Sequence, residues 1–347
     1  MSLRHSLGLT SVLVATALSG VACGQTKQQK EGGVLYAQMC AVCHGREGEG
    51  YKADQAPRLR EPGYLASATD AFLRESIVNG RLGSTMSAWG RASGGPLTDP
   101  QVDALIAYMR LWQPKKKVPL DEKPLTGDRG RGGLLYHQNE CVKCHGWRGV
   151  EGPNARVGNP GFLANASNGF LRQAIRNGRP GTQMAAFGSK LGDQGVEDVI
   201  ALMRSWATPP PRPVHHPDPP PLPLGTVPLH PKGPEPTGFK PDFTPADVVK
   251  AQLDRGAKMA ILDARAPSDY LREHIKGAVS VPFYDPAPYF DKLPKNVWLV
   301  CYCGCPHAES GQLAARLREN GFTKVTVLDE GLGYWRSKNY AIDRATP

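Results

Sequence analysis

The 347-residue chain has no apolar run of membrane-spanning length. Leu7 to Leu18 is apolar but shorter than the ~20 residues a helix needs to cross a bilayer. No lysine- or arginine-rich run accompanies the net charge of +10, so no nucleic acid is expected as a ligand. The charge fits an acidic partner or an anionic surface instead. There is no even-numbered disulfide framework either. The eight cysteines sort into Cys23, the pairs Cys40/Cys43 and Cys141/Cys144, and a cluster at Cys301, Cys303 and Cys305.

What is present begins with an export signal over 1–22. Arg4 and His5 give a weakly basic start, Leu7 to Leu18 the apolar stretch and Ser19-Gly20-Val21-Ala22 a small-residue exit. Cys23 follows at once and resembles the lipidated cysteine of bacterial lipoproteins. Those signals place leucine three residues before the cysteine, whereas Gly20 stands there and Leu18 lies two residues further back. An ordinary cut near Ala22 is the alternative. A lone thiol at a mature N-terminus in an oxidising compartment favours modification. The expectation is a periplasmic or otherwise extracytoplasmic lipoprotein, held at the membrane through Cys23.

Two segments repeat each other. Gly32-Gly33-Val34-Leu35-Tyr36 and Gly132-Gly133-Leu134-Leu135-Tyr136 each precede a Cys-x-x-Cys-His run. Pro62-Gly63-Tyr64-Leu65 is answered by Pro160-Gly161-Phe162-Leu163, and Met86-Ser87-Ala88-Trp89-Gly90 by Met184-Ala185-Ala186-Phe187-Gly188. Each unit closes on an apolar helical stripe, Val102, Leu105, Ile106 and Met109 in one and Val196, Val199, Ile200 and Met203 in the other. Two tandem all-α domains follow, over 32–113 and 128–207. Proline dominates 208–238, a composition that favours extended polyproline II and reads as an interdomain tether. Beyond it, over 239–346, short apolar runs at Ala260-Ile261-Leu262, Val297 to Val300 and Val325 to Leu328 alternate with a helical pattern from Ala308 to Glu319. That alternation predicts an α/β domain with a parallel sheet. Thr244-Pro245-Ala246-Asp247 reads as its first capped helix start.

Cys40-Ala41-Val42-Cys43-His44 and Cys141-Val142-Lys143-Cys144-His145 each place two thiols to add to haem vinyl groups and an imidazole beside them to ligate the iron. The rivals fail. No second pair of zinc ligands lies at the usual spacing, and redox Cys-x-x-Cys pairs sit on a βαβ pattern that these units lack. Met86 and Met184 stand at matched positions, 42 and 39 residues beyond His44 and His145, in loops rich in glycine and small residues. The two units resemble class I cytochrome c domains, and the resemblance implies that Met86 and Met184 supply the sixth iron ligands. It implies two covalently bound haem c groups with closed iron sites, hence an electron carrier with a redox partner protein.

The C-terminal part resembles a rhodanese-like sulfurtransferase domain through Leu262-Asp263-Ala264-Arg265, Asp269-Tyr270, His274-Ile275-Lys276-Gly277-Ala278 and Leu328-Asp329-Glu330-Gly331 to Trp335. In that family a cysteine at a strand end is activated by the amides of a loop and helix N-terminus. Cys303 occupies the strand-end position and Ser310 the helix start, with Cys305 the alternative nucleophile because the intervening loop is one residue longer than usual. The loop has no arginine to attract thiosulfate and carries Glu309. His307 is a candidate base or compensating cation. Persulfide or thiol handling therefore fits better than thiosulfate:cyanide transfer. The leading expectation is an electron-transfer cytochrome coupled to a small sulfur compound at Cys303. The alternatives are a plain respiratory relay with a docking rhodanese domain, and a disulfide between Cys303 and Cys305 or soft-metal capture by them with His307.

Overall fold

A computed structural model describes residues 24–53, 55–113, 116–207, 227, 229–305 and 307–344. The signal segment, Cys23 and the proline-rich stretch 208–226 lie outside the described residues.

The first unit opens with Lys27–Leu35 (α1), whose start is fixed by a capping box between Thr26 and Gln29. A π-helical turn over Tyr36–Cys40 carries it into Ala41–His44 (α2). Pro62–Ser67 (α3), Asp70–Val78 (α4) and Asp99–Met109 (α5) complete the unit. The second unit repeats the order with Arg129–Gln138 (α6), Cys141–His145 (α7), Pro160–Asn165 (α8), Asn168–Asn177 (α9) and Gly188–Ser205 (α10). Both predicted apolar stripes are buried along their whole length. The repeated Gly-Gly pair is explained by helix crossing. A Cβ on Gly32 would stand 1.9 Å from the Ala104 carbonyl oxygen in α5, and one on Gly132 2.0 Å from that of Asp198 in α10. Only glycine lets the first and last helices of each unit approach so closely. The repeated tyrosines then tie down the Cys-x-x-Cys-His turns: the Tyr36 hydroxyl donates to the Gly45 carbonyl at 2.8 Å and that of Tyr136 to Gly146 at 2.9 Å.

The third unit contains Phe243–Thr244 (β1), Ala246–Asp254 (α11), Met259–Asp263 (β2), Pro267–Arg272 (α12), Glu273–Ile275 (β3), Val279–Ser280 (β4), Trp298–Tyr302 (β5), Ala308–Glu319 (α13), Val325–Leu328 (β6), Gly331–Ser337 (α14) and Ile342–Arg344 (β7). Five strands form a parallel sheet in the order β1-β6-β5-β2-β4, and β3 pairs antiparallel with β7. β2 and β5 are central and almost wholly buried, as their unbroken apolar runs predict.

Two features depart from the expectations. Thr244 does not cap a helix. It is buried in β1 with its hydroxyl 2.8 Å from that of Thr326, and α11 starts after Pro245 with no side-chain cap. The end of the proline-rich segment also belongs to the third unit. Leu229 exchanges backbone hydrogen bonds with Met259, and Lys258 N–H donates to the Pro234 carbonyl at 3.0 Å.

The second unit depends on a buried carboxylate. Asp198 accepts from Arg131 Nε and Nη2 at 2.8 and 2.9 Å and from the Asp128 N–H at 2.7 Å, pinning the start of α6 to α10. The Arg131 hydrogen bonds pull its carboxyl down to about 2. A carboxyl lowered on folding stabilises the fold above its unfolded value near 3.8 and loses that contribution as pH falls toward 2. Asp198→Asn is expected to cost about 1–3 kcal/mol at neutral pH. Its stability should change less than that of the parent between pH 4 and 2, measured by chemical denaturation across that range.

Candidate functional site

The imidazoles of the two Cys-x-x-Cys-His turns are held alike. His44 Nδ1 lies 3.0 Å from the Pro57 carbonyl and His145 Nδ1 3.0 Å from that of Ala155. A carbonyl only accepts, so Nδ1 carries the proton and Nε2 keeps its lone pair for a metal. Burial lowers the pKa of both rings, which favours the neutral form a metal needs. One cavity of about 750 Å³ runs through both units, lined by both histidines, by Met86 and Met184, and by Cys40, Cys43, Cys141 and Cys144. All four cysteines are free and half-buried. A cavity with paired thiols, a neutral imidazole and a thioether in each half fits a covalently attached haem with histidine and methionine ligands.

The units pack face to face with reciprocal contacts. Arg58 donates to the Gly181 carbonyl at 3.0 Å and Arg156 to that of Gly83 at 3.1 Å, so each methionine loop is held by an arginine of the other unit. Between the halves, Phe72 and Phe170 stack at 5.0 Å, with Tyr64 and Phe162 edge-on to them. Arg81 lies over Phe72 and Phe162 and donates to the Gly161 carbonyl, while Arg179 lies over Tyr64 and Phe170, 3.8 Å from Glu61. Both arginines line the cavity, and burial pulls both guanidinium pKa values down.

The third unit brings a cysteine loop to the same place. The loop leaves the C-terminal end of β5 and enters α13. Cys303 donates to the Cys305 carbonyl, and its sulfur lies 3.7 Å from the Cys305 sulfur and 3.3 Å from the Ser310 hydroxyl. Burial holds the Cys303 thiol protonated, well above its ordinary value. For Cys305 the bond with Cys303 acts downward, but a bond with the Cys43 sulfur and burial outweigh it, and the thiol sits at about 12. Cys301 is a fully buried strand residue of β5. Glu309 is buried against the thiols, lines the haem-type cavity, and has its carboxyl pushed up by that burial.

His307 is not where the sequence placed it. Its Nε2 lies 2.7 Å from the Asp329 carbonyl and 2.8 Å from Oδ1 of Asp329, and its ring packs on Phe243 at 4.2 Å. A left-handed backbone at φ 69° turns the side chain that way. Among the described residues the three groups within 4.8 Å of one another are Cys303, Cys305 and Glu309, so carboxylate replaces imidazole in the expected cluster. The sequence offered Glu309 only as a repulsive charge; its place in the first turn of α13, on the face toward β5, was the available signal.

Docking of the third unit on the first is polar and specific. The Ser87 hydroxyl donates to Asp269 Oδ2 at 2.6 Å, the Ser268 hydroxyl donates to the Ala88 carbonyl at 2.6 Å, and Trp89 meets Tyr284 at 5.5 Å. The segment after Met86 therefore holds Ser268, Asp269 and Tyr284, and Thr85, just before it, is the floor beneath Gly304 of the cysteine loop.

Residues 27–109 and 128–203 match the family of cytochrome c oxidase, cbb3-type, subunit III, and residues 245–338 match the rhodanese-like domain family. The cbb3-type cytochrome c oxidase subunit CcoP of Azospirillum sp. is 27% identical over 49% of this chain and 59% of its own length. The thiosulfate dehydrogenase electron acceptor of Stutzerimonas stutzeri is 24% identical over 57% of this chain and 93% of its own. The thiosulfate dehydrogenase of that organism is 28% identical over 33% of this chain and 36% of its own. A solved rhodanese-like domain from Anabaena sp. shares 29% identity over 30% of this chain, with a TM-score of 0.29. Among the described residues no helix is long and apolar enough to cross a membrane.

Cytochrome c domains carry covalently bound haem c, and a buried positive charge beside a haem favours its reduced state. Arg81→Gln and Arg179→Gln should each lower a haem potential by tens of millivolts while the oxidised absorption spectrum is retained; spectroelectrochemical titration of each variant checks this.

Proposed function

We propose that this chain, two cytochrome c domains followed by a rhodanese-like domain, carries two haems and oxidises a sulfur compound held at Cys303. Cys40 and Cys43 hold one haem c by thioether bonds and Cys141 and Cys144 the other. His44, His145, Met86 and Met184 would hold the irons. The bound haems would supply one-electron redox chemistry, with substrate bonds made and broken elsewhere. The chain's own residues set the conditions. Pro57 and Ala155 fix the imidazoles, the reciprocal arginines hold the methionine loops, and the aromatic cluster fills the space between the two halves.

The observation that carries the sulfur half is the packing of α13 on α2, the turn that holds Cys43 and His44, with Glu309 lining the same cavity as Cys43. With the loop beside that turn, electrons need not cross a proline-rich tether. Cys303 is the acceptor for sulfane sulfur: it stands at the strand end, with Ser310 beside it, on a loop backed by the N-terminus of α13. Export, with Cys23 as a lipid anchor, would place this chemistry outside the cytoplasm, and a redox protein would take the electrons. Relatives named for thiosulfate oxidation and for a terminal oxidase support either kind of partner.

Incubation of the oxidised holoprotein with sulfide, persulfide or thiosulfate, followed by haem absorption, tests this. Cys303→Ser is expected to slow haem reduction by the productive donor at least about tenfold. Reduction unaffected by that substitution would leave a plain relay with a docking domain. A Cβ on Gly304 would already lie 3.5 Å from the Thr85 methyl, so Gly304→Tyr should wedge the loop off its floor. It is expected to slow donor-driven reduction without changing the spectrum of the oxidised haems.

A further inference from the structure

We infer that Cys303 and Cys305 are a dithiol–disulfide couple that gives two electrons to the two haems, leaving where α13 packs on α2. The inference rests on the two-haem reading above and adds a redox role for the thiol pair itself.

Four observations carry it. The two sulfurs are already neighbours at 3.7 Å, across a single intervening glycine. Both are buried, so neither is spent on solvent or on a disulfide to another part of the chain. The helix that follows the pair, α13, packs on α2, the turn that carries Cys43 and His44. The fourth is the electron number. A disulfide forms by loss of two electrons, and two haems that each take one match it.

The balance is simple. The Cys303 and Cys305 S–H bonds break, one S–S bond forms, two electrons reduce two ferric haems to ferrous, and two protons leave. Glu309, within 4.8 Å of both sulfurs and facing the cavity, is the first group able to pass the protons on. The couple is regenerated when one external thiol attacks the disulfide at Cys303 to give a mixed disulfide and a second thiol releases it, leaving as the external disulfide with both protein thiols restored. A methionine-ligated haem lies at a higher potential than a dithiol, so the electrons run toward the haems.

Electron counting without any sulfur substrate tests this. The fully reduced holoprotein is titrated anaerobically with ferricyanide, and the peptide containing Cys303 and Cys305 is then alkylated and analysed by tandem mass spectrometry. The parent should take four oxidising equivalents, one from each haem and two from the thiol pair, and end with Cys303 and Cys305 linked and closed to alkylation. Cys305→Ser and Cys305→Ala should each take two, with the reduced haem spectrum reporting that they are folded. A parent that takes only two, a Cys305 variant that still takes four, or thiols that remain alkylatable at the end point would each overturn the couple. The count stands apart from the sulfur-donor experiment. Failure of donor-driven reduction with an intact four-electron count removes the substrate assignment alone, and the reverse result removes the couple alone.

Discussion

A guanidinium taken out of water costs several kcal/mol unless an opposite charge comes to meet it. Arg81 and Arg179 are both partly withdrawn from water, on the wall between the two halves of one cavity. Arg179 has Glu61 at 3.8 Å; Arg81 has no carboxylate at ion-pair distance among the described residues. Much of the remaining architecture follows from this. The aromatic faces of Phe72, Phe162, Tyr64 and Phe170 are turned toward the cations, the Gly161 carbonyl and the Ser67 hydroxyl take their N–H groups, and the two units interlock around them. Each half of the repeat thus supplies groups that the other lacks.

The third unit attaches to this body by different means. Its contacts with the first unit are hydroxyls, a carboxylate, a backbone carbonyl and one aromatic pair. An interface of that kind resembles those between domains that separate and rejoin more than those of a shared core. Asp269, which also receives Arg272 at 2.5 Å, is pinned by its own domain before it meets Ser87. Pre-organisation of the acceptor lowers the entropic cost of docking. The buried Asp263–Arg265 pair does similar work beneath the loop. It is bidentate and buttressed by the Tyr302 hydroxyl at 2.6 Å, so the end of β5 and the segment leading to Asp269 hold a fixed relation.

Local chemistry in the sequence was enough for much of this. The repeat, the Cys-x-x-Cys-His turns, the matched methionines and the apolar stripes are patterns that a short window contains, and the cavity brings those side chains together. The apolar runs of β2, β5 and β6 likewise read directly as buried parallel strands. What short windows could not contain was pairing across long separations. Thr244 looked like a cap because a hydroxyl before a helix usually is one; its partner is Thr326, in a strand eighty-two residues away. His307 looked like a ligand because it sits between cysteines and a helix, yet the left-handed backbone and Asp329 turn it outward. The proline-rich stretch looked like tether to its end, but Leu229 finds a place against Met259 that no composition argument could reveal. The packing of α13 on α2 joins two motifs that were legible singly and had no visible relation.

That contact has an electrostatic consequence. Cys303, Cys305 and Glu309 are all buried, and burial raises the pKa of each toward the protonated, neutral form. In such surroundings a charge created without compensation is expensive. An electron removed from a protonated thiol leaves a positive centre unless the proton goes too, so electron loss and proton loss have to be linked. The same burial opposes the thiolate that a sulfurtransferase needs for attack on an external donor. Docked, the loop suits internal electron transfer with proton release; attack on a donor requires the loop to see water or a cation again. The polar interface is compatible with that alternation. A sulfur centre that must meet both a substrate and a haem is served by a surface that holds firmly enough to align the cysteine loop with α2 and releases at modest cost.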